Sequence, residues 1–85
     1  MPDNKINLTT VVNGTPTEVT ANKNAPLKTI IPEALRETGN NGQPPENWDV
    51  KDAAGNILDP NKKIEDFGFG EGGTVFLSLK AGIGG

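Results

Sequence analysis

Residues 74–85 read Thr74-Val75-Phe76-Leu77-Ser78-Leu79-Lys80-Ala81-Gly82-Ile83-Gly84-Gly85. The first half alternates: Val75, Leu77 and Leu79 fall on one side, Thr74, Phe76 and Ser78 on the other. A period of two over six residues predicts a strand with one buried face. The alternation stops at Lys80. From Lys80 to Gly85 there is no periodicity and half of the residues are glycine, so the stretch predicts a flexible tail. The chain divides accordingly into a folded domain, 1–79, and a tail, 80–85.

Working back from this strand, Ile64-Glu65-Asp66-Phe67-Gly68-Phe69 is a compact apolar-polar loop, with Phe67 and Phe69 expected to plug the core. Ile57-Leu58 reads as a short strand between the turns Ala54-Gly55-Asn56 and 59–63. Trp48 to Asp52 predicts a strand with Trp48 and Val50 on one face, and the indole is expected to be half-buried. Residues 40–47 (NNGQPPEN) form a loop whose prolines favour an extended path. Leu27, Ile30, Ile31, Ala34 and Leu35 make one helical stripe, with Asn24 as N-cap and Gly39 as C-cap. Pro32 should kink that helix or split off its first turn. At the other end, Lys5 to Asn13 and Thr15 to Ala21 are strands joined by Asn13-Gly14, a strong hairpin signal.

The order is β-β-α-β-β-β. The apolar face of the sheet needs a cover, and the single amphipathic helix supplies one. The expected architecture is α+β, a mixed four- to five-stranded sheet packed on one helix. The last strand is placed beside the first, as in a β-grasp domain.

Composition narrows the chemistry. With 85 residues the chain is one domain with a thin core. It has no cysteine and no histidine. Disulfides, a cysteine nucleophile, histidine general-base catalysis and ordinary zinc sites are therefore excluded on this chain. Asp59, Glu65, Asp66 and Glu71 lack calcium-loop spacing, so no metal is expected. Seven lysines and Arg36 are dispersed among eleven carboxylates, for a net charge of −3. No basic stripe suggests nucleic acid, and no apolar run has the length of a membrane span. A cytoplasmic monomer that is not an enzyme and binds neither nucleic acid nor membrane is the expectation.

The C-terminal third resembles ubiquitin. Ile64-Glu65-Asp66-Phe67, then Phe69, then Thr74 to Lys80 and finally Gly84-Gly85 follow the pattern of an aliphatic, Asp and an aromatic, a strand opened by Thr, a basic residue and a terminal Gly-Gly. The motif match covers roughly the last twenty residues, and the element order extends it to nearly the whole chain at the level of fold. Within the ubiquitin-like modifier family the chain is most similar to short bacterial proteins whose genes accompany activating-enzyme, conjugating-enzyme and JAB-type peptidase homologues. The resemblance implies a modifier conjugated through Gly84 and Gly85. The partner activating enzyme would adenylate the Gly85 carboxylate with ATP and magnesium, with no cofactor on this chain. The acyl group would pass to an enzyme cysteine and then to an amine of a target protein, forming an isopeptide bond. From Lys80 to Gly85 the tail reaches about 20 Å when extended, and lacking large side chains it can thread a narrow channel.

The sequence also departs from ubiquitin. The basic tail is reduced to Lys80, followed by Ala81, Gly82 and Ile83, so tail recognition is expected to read shape and Ile83 more than charge. The apolar recognition patch is rewritten as Asp49, Lys51, Phe76 and Ser78, with Phe76 readable as a contact residue or as partly buried. Ubiquitin receptors should bind poorly. Two other functions remain open. A sulfur carrier shares the β-grasp fold and the Gly-Gly end but finishes as a thiocarboxylate on Gly85. A non-covalent interaction module would use the sheet face or an edge strand and ignore the tail. Any of the seven lysines could accept a second copy, and nothing in the sequence ranks them.

Overall fold

The computed structural model describes residues 4–69 and 73–82. Strands β1 (Lys5–Val12) and β2 (Thr15–Asn22) form an antiparallel hairpin paired along its whole length, from Lys5 opposite Asn22 to Val12 opposite Thr15. Asn13 and Gly14 join them with φ of 50° and 80°. Positive φ at both central residues is the twist-matched two-residue turn that Asn-Gly favours. Pro16 lies on β2, which is an edge strand, where a missing amide donor is tolerated.

Strand β3 (Trp48–Lys51) runs antiparallel to β4 (Thr74–Leu79), and β4 runs parallel to β1. The sheet order is β2-β1-β4-β3. The last strand therefore lies beside the first, as the sequence predicted, and the architecture is a mixed four-stranded β-grasp.

The helix is shorter than its apolar stripe. A 3₁₀ turn over Leu27–Thr29 precedes α1 (Ile30–Glu37). Pro32 explains the break: with no amide at residue 32, the Lys28 carbonyl lacks its α-helical donor and the first turn tightens to three-residue bonds. All five stripe residues, Leu27, Ile30, Ile31, Ala34 and Leu35, are nevertheless buried. Asn24 is not the N-cap. Its amide donates to Asn22 Oδ1, while Thr29 opens α1 and donates its hydroxyl to the Pro26 carbonyl. At the other end, Gly39 adopts φ of 73°. The amides of Gly39 and Asn40 donate back to the carbonyls of Arg36 and Leu35, at 3.2 and 2.8 Å, closing a Schellman motif.

Ile57-Leu58 is not a strand. Ile57 makes one isolated bridge to Lys51, and the Leu58 amide donates to the Val50 carbonyl at 2.8 Å. The turn closed by Asp52 on one side and the 59–63 turn on the other leave too few residues for a ladder. Trp48 is also more buried than expected, at 5% exposure, because strand alternation puts it on the same inward face as Val50, in the core cluster. The segment Ile64–Phe67 is a 3₁₀ turn ended by Gly68 in the left-handed region. It is tied to the start of the helix: Leu27 donates to the Lys62 carbonyl and Ile64 to that of Ala25. Phe67 and Phe69 stack with centroids 5.3 Å apart and pack, partly buried, against the core.

The core is a single cluster between sheet and helix, centred on Leu8, Val12, Val19, Ile30, Ile64 and Val75. Thr10 is fully buried among them, and its Oγ1 has no hydrogen-bond partner. Among the described residues no helix is long and apolar enough to cross a membrane.

Candidate functional site

Strand register assembles the rewritten patch. Asp49 pairs with Ser78 and Lys51 with Phe76, so the four residues form two adjacent cross-strand pairs on the sheet face away from the helix. Their strand neighbours Trp48, Val50, Val75 and Leu77 point into the core. Phe76 is 36% exposed, so its ring lies outward and rests partly on the sheet.

The row through Phe76 is longer than the sequence suggested. Ile57 bridges Lys51, Lys51 pairs with Phe76, Phe76 with Val11 and Val11 with Pro16. This line crosses the whole sheet and carries the two large exposed apolar residues of the described chain, Ile57 at 63% and Phe76. Ile57 escapes sequence reading because its contribution depends on one bridge to a residue six positions earlier. The local signal was the Asp52 turn. The Asp52 carboxylate accepts from the amides of Ala54 and Asn56 and from Asn56 Nδ2, at 2.9–3.2 Å. The bonds from the Asn56 amide and side chain, the largest causes, hold the Asp52 carboxyl below its usual range.

The tail leaves from the neighbouring corner. Lys80 donates its amide to the Asn47 carbonyl at 2.8 Å. Lys80, Ala81 and Gly82 are exposed. Gly82 has φ of 88°, and a Cβ built there would meet no atom within 4 Å. Of the expected tail-recognition and conjugation residues, Ile83, Gly84 and Gly85 lie outside the described residues. Beside Lys80 opens a groove bordered by Trp48 and residues of α1, which the sequence did not reveal because its walls come from separate segments. Among the described residues, no three Asp or Glu side chains converge to hold a metal ion.

A family model described as "Protein of Unknown function (DUF2604)" matches residues 1–85. An uncharacterised protein, y4jI, of Sinorhizobium fredii is 57% identical over 81 residues, which is 95% of this chain and 62% of that protein. The chain thus spans less than two thirds of that curated relative. Among solved structures, Caldiarchaeum subterraneum ubiquitin superposes with a TM-score of 0.71 at 18% identity, covering 94% of this chain and 99% of that one. The C-terminal ubiquitin-like domain of human 2'-5'-oligoadenylate synthetase-like protein gives 0.74 at 18% identity, covering 99% and 93%. The fold is ubiquitin-like, and at this identity the structural likeness carries the fold alone.

Proposed function

The chain belongs to the DUF2604 family, and from that premise and its fold we propose that it is a ubiquitin-like protein modifier joined to target amines through Gly85. A free Gly85 carboxylate attacks the α-phosphorus of ATP, held with magnesium on an activating-enzyme homologue, and releases pyrophosphate. An enzyme thiolate then displaces AMP. A conjugating-enzyme homologue takes the acyl group by thiol exchange, and a target amine displaces the thiol to leave an isopeptide bond. A JAB-type peptidase reverses that bond and cuts after Gly85 wherever residues follow it. The proposed use of ATP supports a cytoplasmic reaction.

The observation that carries this reading is the described root of the tail. After the Lys80–Asn47 hydrogen bond the chain runs exposed through Ala81 and Gly82, clear of the sheet. A carboxylate that must enter another protein's site needs such an exit. The chain has no Cys or His, so the activating nucleophile belongs to the partner. The test is incubation with the cognate activating enzyme, ATP and magnesium. A thiol-sensitive adduct, lost when Gly84-Gly85 is deleted, is the expected result. Absence of any adduct removes the reading. Intact mass spectrometry in the same experiment identifies a sulfur carrier instead, if Gly85 gains sulfur in place of a carboxylate oxygen.

The row from Ile57 to Pro16 favours a second reading, a non-covalent interaction module. Ile57 and Phe76, exposed in one row on either side of Lys51, support a contact surface on this face. Binding to a partner that survives deletion of residues 80–85 and is lost in Phe76→Ala favours this reading over conjugation.

A further inference from the structure

The groove beside Lys80 has a volume of about 370 Å³, room for one large side chain or two smaller ones. Ile31 and Pro32 of α1, Pro45, Trp48 and Pro60 form its walls. Three of these are prolines with φ fixed by the ring, and Trp48 is held in the core, so the slot is preformed. Two backbone bonds hold its rims: the Lys28 amide donates to the Pro60 carbonyl at 2.9 Å, and the Lys80 amide to that of Asn47 at 2.8 Å.

Its charge is opposite to that of the whole protein. Lys28 and Lys80 border the groove with Glu46 as the one carboxylate, on a chain of net charge −3. Both lysines are exposed, and neither joins an ion pair among the described residues. An apolar slot with two unpaired ammonium groups at its rim is complementary to an apolar side chain flanked by carboxylates. Lys80 is also the first residue of the tail, so whatever occupies the groove also holds the tail at its root.

We propose that this groove seats an acidic-apolar segment of the enzyme that takes the tail. One large apolar side chain fills the slot, and flanking carboxylates meet Lys28 and Lys80. The proposal rests on the reading of Gly85 as the conjugated end. The five residues beyond Lys80 reach at most about 17 Å. Fixing their origin confines the volume that the Gly85 carboxylate explores and favours its delivery to the reacting position.

The chain's single tryptophan gives one indole N–H signal. The test titrates the ¹⁵N-labelled full chain with the acetylated, amidated peptide Glu-Leu-Phe-Glu and with its charge-reversed counterpart Lys-Leu-Phe-Lys. The acidic peptide should give saturable shifts at the Trp48 indole and the Lys80 amide, with a Kd of about 1 mM or tighter. The double variant Lys28→Glu/Lys80→Glu should bind it at least about tenfold more weakly and should accept the basic peptide instead. Equal binding of both peptides, shifts centred on Phe76, unchanged affinity in the double variant, or no saturation would each overturn the proposal. Adduct formation at Gly85 is scored separately. An adduct without groove selectivity overturns the groove alone, and groove selectivity without an adduct overturns the modifier reading.

Discussion

The two faces of this sheet are built from the same strands and do opposite things. Val50 and Val75 are 1% and 0% exposed against the helix, while one residue further along each strand Lys51 and Phe76 pair on the outer face, and Ile57 extends their row at 63% exposure. The buried face and the exposed face are separated by a single step along the backbone. A register slip of one residue would exchange them, so the register that packs the core also composes the exposed row.

If the division is real, substitutions on the two faces should differ in kind. Leu8→Ala on the inner face removes a fully buried side chain and should destabilise the fold by about 3 kcal/mol in urea unfolding. A loss no larger than that of an outer-face variant breaks the comparison. Thr10, like Trp48 at its Nε1, is an exception within the inner face, since its buried hydroxyl has no partner. Thr10→Val keeps the shape, removes the unpaired group and should stabilise by about 1 kcal/mol. On the outer face, Phe76→Ala and Ile57→Ala should each change stability by no more than about 1 kcal/mol. The same variants should weaken any partner held by the sheet face, read by titration calorimetry.

The smallest effect is expected at the Asp52 turn, which places Ile57 beside Lys51. The folded Asp52 pKa lies below its ordinary value of 3.8. Its hydrogen bonds therefore add stability above that value and lose it as the pH falls through the lower folded value. Asp52→Asn should shrink the difference between urea midpoints at pH 6 and pH 3, and should shift the Ile57 resonances more than those of the inner face. An unchanged difference would show that the turn does not depend on the carboxylate charge.

Much of this was legible in the sequence because it is periodic. The alternation of Val75, Leu77 and Leu79, the stripe from Leu27 to Leu35 and the Asn13-Gly14 turn are local codes, and each gives the element it predicted. The misreadings fall where a local pattern meets a tertiary demand. Asn24 has a capping side chain, but Pro32 displaces the start of α1 to Thr29. Ile57-Leu58 has strand residues but no length between its bracketing turns. Trp48 was expected to be half-buried, and its inward strand position puts it in the core cluster. Asp49, Lys51, Phe76 and Ser78 share one face because side-chain alternation fixes a face without needing the partner strand.

The sequence by itself determined which residues face inward on each element, a final stretch 80–85 whose one basic residue is Lys80, and the absence of Cys and His. Only the tertiary structure decided which residues become neighbours across segments: Ile57 beside Lys51, Phe76 beside Val11, and Pro45 and Pro60 facing one slot at the root of the tail. The reason is physical. Side-chain periodicity follows from backbone geometry over a few residues. Register and groove shape are settled only when distant segments pack together, with the entropy of closing the loops between them set against the area they bury.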